Sequence, residues 1–224
     1  MKHYIVTISR EYGSGGRDVG RMLADELGLP LFDKEIMNMA IEKSGLPADF
    51  IEKKSESVSS KFMLNLLRLS LNVPNVRVPS GFNSHTVATA KHTKLDADYL
   101  FNVQSSIIKE IAGLGGCVIV GRCAGYILRD FPNRLSVFIR GNFEDRVRRT
   151  IETYNMPKKD AAANVKKIDK HRANHYKLYA KQQWGATDNY DLVINTSYTC
   201  IAGAVNVIKA TLDTRAEEPI GITK

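Results

Sequence analysis

Three glycines within four positions, Gly13-Ser-Gly-Gly16, lie between an apolar β-branched run and a stretch with helical spacing. No other feature constrains the fold of this chain as much. Upstream, Tyr4-Ile-Val-Thr-Ile-Ser9 has the length and composition of a buried strand. Downstream, Val19 to Leu27 repeats its apolar residues at the helical period. Strand, glycine-rich turn and helix, in that order, form the frame of a phosphate-binding loop. Glycines let the backbone fold back so that its N–H groups converge on an anion, and the helix N-terminus adds partial positive charge. The chemistry departs from the usual pattern. GxxxxGK[ST], laid over Arg10 to Asp18, places Arg10 at the first glycine, Gly15 at the second and Gly16 where the lysine belongs. Asp18 stands near the position of the magnesium-binding hydroxyl.

The rest of the chain narrows the class. Its 224 residues suffice for one α/β domain with a sizeable core. A hydrophobic fraction of 43% and a charged fraction of 25% are those of a water-soluble globular protein. No apolar run approaches the roughly 20 residues that a membrane span needs. The first residues carry no signal-peptide pattern, so the expected location is the cytoplasm. Cys117, Cys123 and Cys200 have neither CxxC spacing nor an even count, and are expected to be buried reduced thiols. The net charge of +8 and a pI near 9.3 call for an anionic partner. Basic residues gather at Arg140 to Arg149 and Lys158 to Lys181, without a helix-turn-helix, an arginine-rich tail or stacking aromatics. Small anions are therefore expected, not nucleic acid and not a membrane.

Five strands are expected: Tyr4 to Ser9, Pro30 to Asp33, Cys117 to Gly121, Arg134 to Ile139 and Asp191 to Asn195. Four are near-continuous apolar runs, which suits a parallel sheet covered by helices on both faces. Helical patterns occupy Asp18 to Leu27, Lys34 to Ser44, Leu95 to Leu114, Phe143 to Asn155, Lys159 to Tyr179 and Tyr198 to Thr214. Gly28 is expected to end the first helix and Asn142 to cap the fourth. The turn-rich stretch 55–94 reads as an insertion, either a packed loop or a flap over substrate. The domain map is thus a single domain with core 1–54, 95–157 and 186–215, an inserted acceptor region 55–94 and a lid 158–185.

Several motifs occur in a shared order: Gly13-Ser-Gly-Gly-Arg-Asp-Val-Gly20, Leu31-Phe-Asp-Lys-Glu35, Val118-Ile-Val-Gly-Arg122, Ser136 to Arg149 and Tyr190-Asp-Leu-Val-Ile-Asn195. Together they resemble the cytidylate-kinase-like family of the P-loop nucleoside monophosphate kinases, over roughly Tyr4 to Ile208. The resemblance implies a P-loop NTPase fold with a five-stranded parallel sheet, ATP and Mg2+ as cofactors, and an acceptor such as CMP or dCMP. It also implies site residues. Gly13, Ser14, Gly15, Gly16, Arg17 and Asp18 would hold the β-phosphate of ATP. Arg17 is the first candidate for the missing lysine's charge, with Arg10 and Lys34 as rivals. Asp18 reads either as a magnesium ligand or as an acid of the first helical turn. Arg122 would grip the acceptor's phosphate, or else cap a helix. Arg146 would lie against the adenine and Arg149 towards the ATP phosphates, on a helix face that solvent would also explain. Asp33 would position the acceptor or cap a helix.

Within Lys166 to Lys177, Asp169 and Arg172 match an Asp-x-x-Arg lid series, and His175, Tyr176 and Lys177 stand where further arginines are expected. Arg172 is then the one lid arginine. Trp184 reads as packing. Two other functions fit the same residues: a nucleotide-binding regulator that does not catalyse, which Gly16 motivates, and a kinase of a non-nucleotide acceptor. Nothing in the pattern specifies an oligomeric state.

Overall fold

The computed structural model describes residues 4–33, 36, 39 and 93–217. The expected helix Lys34 to Ser44 therefore lies outside the described residues apart from Ile36 and Met39, and the insertion 55–94 apart from its last two positions. Contacts divide the chain into two units, Met1–Asp33 with Ile108–Lys224, and Lys34–Ile107. All that follows on the sheet and the site concerns the first.

Five strands form one parallel sheet: β1 (Ile5–Arg10), β2 (Leu31–Phe32), β3 (Cys117–Val120), β4 (Arg134–Arg140) and β5 (Leu192–Asn195). Their order is β2-β3-β1-β4-β5. The described helices are α1 (Gly16–Leu27), α2 (Thr93–Gly113), α3 (Ala124–Ile127), α4 (Phe143–Tyr154), α5 (Lys158–Ala180) and α6 (Thr196–Glu217). All five expected strands are present. Parallel pairing places every strand's C-terminal end on the same sheet edge, which is where ligands collect in open α/β sheets.

Side-chain alternation assigns the layers. A Cβ at Gly20 of α1 would meet Ile8 and Val120, whereas one at Gly125 of α3 would meet Thr7 and Ser136. Thr7 and Ile8 are neighbours in β1 and point to opposite faces, so α1 and α3 cover opposite faces of the sheet. Val6, Ile8, Val118, Val120, Val137 and Ile139 meet Val19 and Leu23 of α1 and Val205, Ile208 and Leu212 of α6 in the core. Each such buried side chain contributes about 1.5–3 kcal/mol relative to exposure. Phe138 packs edge-on against Trp184, with ring centroids 5.3 Å apart, in agreement with a packing role for that tryptophan.

The helix ends show two outcomes. Gly28 closes α1 in the left-handed conformation, φ 63°, as its position predicts. Asn142 occupies the residue before α4, but its side chain makes no cap bond. Its Oδ1 accepts from Asn195 Nδ2 at 3.3 Å instead, and its N–H donates to Ser197 Oγ at 2.8 Å, joining α4 to the end of β5. The cysteines are free, yet only Cys117 is fully buried. Cys200 is exposed because it sits at a break in α6, with φ 54° and ψ −178°. Among the described residues no helix is long and apolar enough to cross a membrane.

Candidate active site

The glycine loop sits at the C-terminal end of the central strand. Gly13 and Gly15 both have positive φ, 76° and 77°, a region that costs an L-residue about 1–2 kcal/mol. A Cβ at Gly13 would lie 2.5 Å from the carbonyl oxygen of Arg146, so this turn needs glycine for space as well as for torsion. Ser14 is buried and folds inward: its Oγ donates to the Glu11 carbonyl at 2.9 Å, and its own carbonyl accepts from Thr196 Oγ1 at 2.7 Å. Gly16 begins α1, whose first N–H groups have no partner within the helix and are available to an anion. Asp18 lies in the first turn of α1 and pairs loosely with Arg21 at 3.8 Å.

Arginines converge beside this loop on a single carboxylate. Arg17 places Nε 2.6 Å and Nη2 2.5 Å from Asp33 Oδ2, and Arg10 Nη2 lies 3.8 Å from Oδ1 of the same residue. Arg122 joins their field. Burial pushes its guanidinium down to about 10, the charge of Arg10 pushes the same way, and Asp33 opposes both. Burial, with Arg10 adding to it, takes Arg172 down to about 9. Arg10 is lowered too, by burial first, with Asp33 opposing and Arg17 adding. Burial would raise the Asp33 carboxyl, but Arg10 and then Arg17 outweigh it and the net shift is downward. With values of about 10 and about 9, Arg122 and Arg172 stay charged at neutral pH. Crowding like charges in a partly desolvated space is unfavourable unless an anion joins them.

Asp33 is thus the counter-ion of Arg17 and Arg10, and the residues it would cap as a helix N-terminus lie outside the described residues. Arg122 follows β3 in a left-handed turn of three successive residues, Gly121, Arg122 and Cys123, at φ 80°, 57° and 55°. Non-glycine residues adopt this conformation rarely.

Arg146 is turned inward. It is 8% exposed; its Nε donates to the Gly141 carbonyl at 3.1 Å, and its Nη1 donates to the Tyr12 carbonyl at 3.2 Å and pairs with Asp169. Glu11 lies 3.4 Å from its Nε and accepts the Gly141 N–H at 2.9 Å. The edge of the Arg146 guanidinium that would lie against an adenine is thus taken up by four partners within the protein. Arg149, one helical turn on, donates to the Gly13 carbonyl at 2.8 Å and so borders the loop.

Helix α5, the expected lid, holds the loop by its backbone. Asp169 Oδ1 accepts the Tyr12 N–H at 2.7 Å, and Arg172 Nη1 donates to the Arg10 carbonyl at 2.8 Å while lying 5.6 Å from the Tyr12 ring centroid. The matched pair Asp169 and Arg172 therefore clasps residues 10 and 12. His175, one turn further on, sits 3.3 Å from the Cys123 thiol through Nδ1. Burial drops this imidazole to about 4, with Arg122 adding, and raises the thiol to about 12, so both are neutral at pH 7 and no thiolate nucleophile exists there.

Sequence reasoning missed the clasp of Asp169 on Tyr12, because it joins positions 157 apart and no local pattern marks it. Lys34 lies outside the described residues. Among the described residues no three His, Cys, Asp or Glu side chains gather to hold a metal.

The likeness to known proteins follows this geometry. No curated protein sequence matches the chain. A solved structure of an uncharacterized protein from Eubacterium ventriosum shares 26% identity at a TM-score of 0.65, covering 95% of this chain and 99% of that one. A gluconokinase from Sinorhizobium meliloti, at 14% identity and a TM-score of 0.53 over 96% and 95% of the two chains, has a similar fold. The family model described as cytidylate kinase-like matches residues 5–198, a span that contains the glycine loop, Asp33 and all the arginines above; the chain belongs to the cytidylate kinase-like family.

Proposed function

We propose that this protein transfers the γ-phosphoryl group of ATP to a small phosphorylated acceptor, with a nucleoside monophosphate such as CMP or dCMP as first candidate. One observation carries the reading: Arg17 and Arg10 share Asp33 beside the glycine loop, and Arg122 and Arg172 lie in the field of Arg10. A site so charged suits two phosphorylated ligands meeting end to end. In the reaction an oxygen of the acceptor's phosphate attacks the γ-phosphorus, the bond to the β,γ-bridging oxygen breaks, and its electron pair leaves on ADP. The protein's share is positioning and charge stabilisation.

The N–H groups at the start of α1 and the loop Gly13 to Gly16 would hold the β-phosphate, and Arg149 would border the phosphate chain. Arg122 would take the acceptor's phosphate, for which the guanidinium's planar fork is suited. Arg172 would close over the transferring group from the lid 158–185, and the inserted region 55–94 would take the acceptor. Arg17 would leave Asp33 for a ligand phosphate. Asp18 would hold magnesium directly or through water, and the ion would supply positive charge against the phosphates.

An ADP-release assay against a panel of nucleotides, paired with calorimetric titration of ATP, tests the reading; absence of turnover with every acceptor would sink it. Gly16 at the lysine position favours a second reading, nucleotide binding without transfer, for which ATP would bind and never turn over. Turnover confined to phosphorylated sugars or acids would move the acceptor away from nucleotides.

A further inference from the structure

The position that carries the P-loop lysine is Gly16, and the position that carries the pattern's first glycine is Arg10. In space these two are neighbours. A Cβ built on Gly16 would lie 2.5 Å from the Arg10 Cβ and 3.0 Å from its Cγ. Real Cβ atoms do not approach so closely, so a side chain can start from position 10 or from position 16, never from both. The usual motif takes one solution, glycine at the first position and lysine at the other. This chain takes the reverse.

The far end of Arg10 is accommodated in the same way. A Cβ on Gly121 would lie 2.9 Å from the Arg10 Cζ and closer still to Nη1, so the Nη1 end of the guanidinium abuts the glycine that follows β3. Two glycines, one in the loop and one across the sheet edge, thus leave the channel that this arginine fills. Its side chain is 22% exposed, and Asp33 is 3.8 Å from Nη2, a loose pairing that leaves the fork's other N–H groups for a ligand. Arg17 is differently placed. It is 38% exposed and bonded through two nitrogens to one oxygen of Asp33.

We infer that Arg10 is the catalytic cation of this site, occupying from the end of β1 the space that the P-loop lysine occupies from the start of the helix, and that the pair Arg10 and Gly16 is an exchange of side chains between two touching positions. The inference rests on the proposed phosphoryl transfer for its catalytic consequence, but not for its binding consequence. Arg10 contributes by holding charge that develops on the β,γ-bridging oxygen and the γ-oxygens.

The test uses the full chain and two probes, ATP and inorganic tripolyphosphate, which carries neither base nor sugar. Arg10→Gly and Arg10→Met, the second keeping an aliphatic stem against Gly121, are each expected to lose at least about tenfold in tripolyphosphate and ATP affinity and about 10²–10³-fold in kcat. The decisive variant is the double exchange Arg10→Gly with Gly16→Lys, which is expected to regain part of both, whereas Gly16→Lys alone disturbs the loop and regains nothing. Circular dichroism and melting curves check that each variant is folded. A folded Arg10→Met with the parent's affinity and turnover overturns the inference, as does Arg17→Gln losing what Arg10→Met keeps, or a double exchange no better than Arg10→Gly. If the parent binds tripolyphosphate through Arg10 yet never transfers a phosphoryl group, the kinase reading fails and the assignment of Arg10 as the anion-binding cation stands. No affinity of the parent for either probe overturns both.

Discussion

Arg17 and Asp33 face each other across the mouth of the glycine loop, with two guanidinium nitrogens within 2.6 Å of one carboxylate oxygen. Asp33 Oδ1 also lies 3.8 Å from Arg10 Nη2, so one carboxylate serves both arginines. Replacing it with asparagine removes the counter-charge and keeps the shape. Asp33→Asn is expected to lose about 1–3 kcal/mol of stability in dilute buffer. Sulfate or phosphate is expected to restore more of the melting temperature in this variant than in the parent. The carboxyl is shifted downward in the folded state, so its stabilisation is present above the unfolded value of roughly 3.9 and is lost as pH falls through the lower folded value. Melting curves from pH 2 to 7 check both points: the variant loses this acid limb.

His175 gives a second pH signature with a different window. Burial holds its folded value at about 4, against about 6.5 for an unfolded histidine. A lowered value means that the unfolded chain takes up the proton first, so stability is full above about 6.5 and declines as pH falls towards 4. The melting temperature of His175→Gln is expected to fall less than the parent's over that interval. Equal slopes would show that the imidazole is not held neutral.

Gly121 is predicted to be an activity position more than a stability position. Its φ of 80° makes any side chain unfavourable by about 1–2 kcal/mol, and an added methyl would push against the Arg10 guanidinium. Gly121→Ala is expected to cost that much stability in urea unfolding. Its kcat is expected to fall much further, to near that of Arg10→Met.

The clasp of α5 on the loop is testable through Asp169. This carboxylate accepts the Tyr12 N–H and pairs with the inward Arg146. Removing one partner of a largely buried pair leaves a charge uncompensated, and Asp169→Asn is expected to cost about 3 kcal/mol or more. Amide exchange should rise at Tyr12 and along α5. A change below 0.5 kcal/mol would mean that the helix is held elsewhere.

Arg122 separates the two substrates. Arg122→Ala is expected to raise KM for the phosphorylated acceptor by about 10–100-fold while leaving KM for ATP within about threefold, the loss expected for one charge-assisted pair. Equal losses for both substrates would assign Arg122 to the shared phosphoryl group.

Most of the fold was legible because the strands are near-continuous apolar runs, such as Cys117-Val-Ile-Val120, and burial on two faces has few other solutions. Gly28 and Gly13 were legible for their torsions. Helix α3 was not, since four residues carry no period and the left-handed turn at Arg122 and Cys123 violates local preference. The site was legible as a set of residue types and only partly as roles. Arg17 follows the loop's glycines, yet it is bonded to Asp33, and Arg146 carries the right charge but points inward. Those outcomes depend on what stands opposite in space. The closeness of positions 10 and 16, and the tie between Tyr12 and Asp169, exist only once the sheet has formed.

The contacts from α5 reach main-chain atoms: the carbonyl of residue 10 and the N–H of residue 12. At residue 10 this grip takes the peptide carbonyl, whereas at residue 12 Arg172 also lies over the tyrosine ring. The carbonyl of residue 10 can accept this bond whatever side chain the residue carries, so the anchoring of the loop at that point is separate from its charge. Relatives could exchange the cation at this site without having to redesign the helix that braces it.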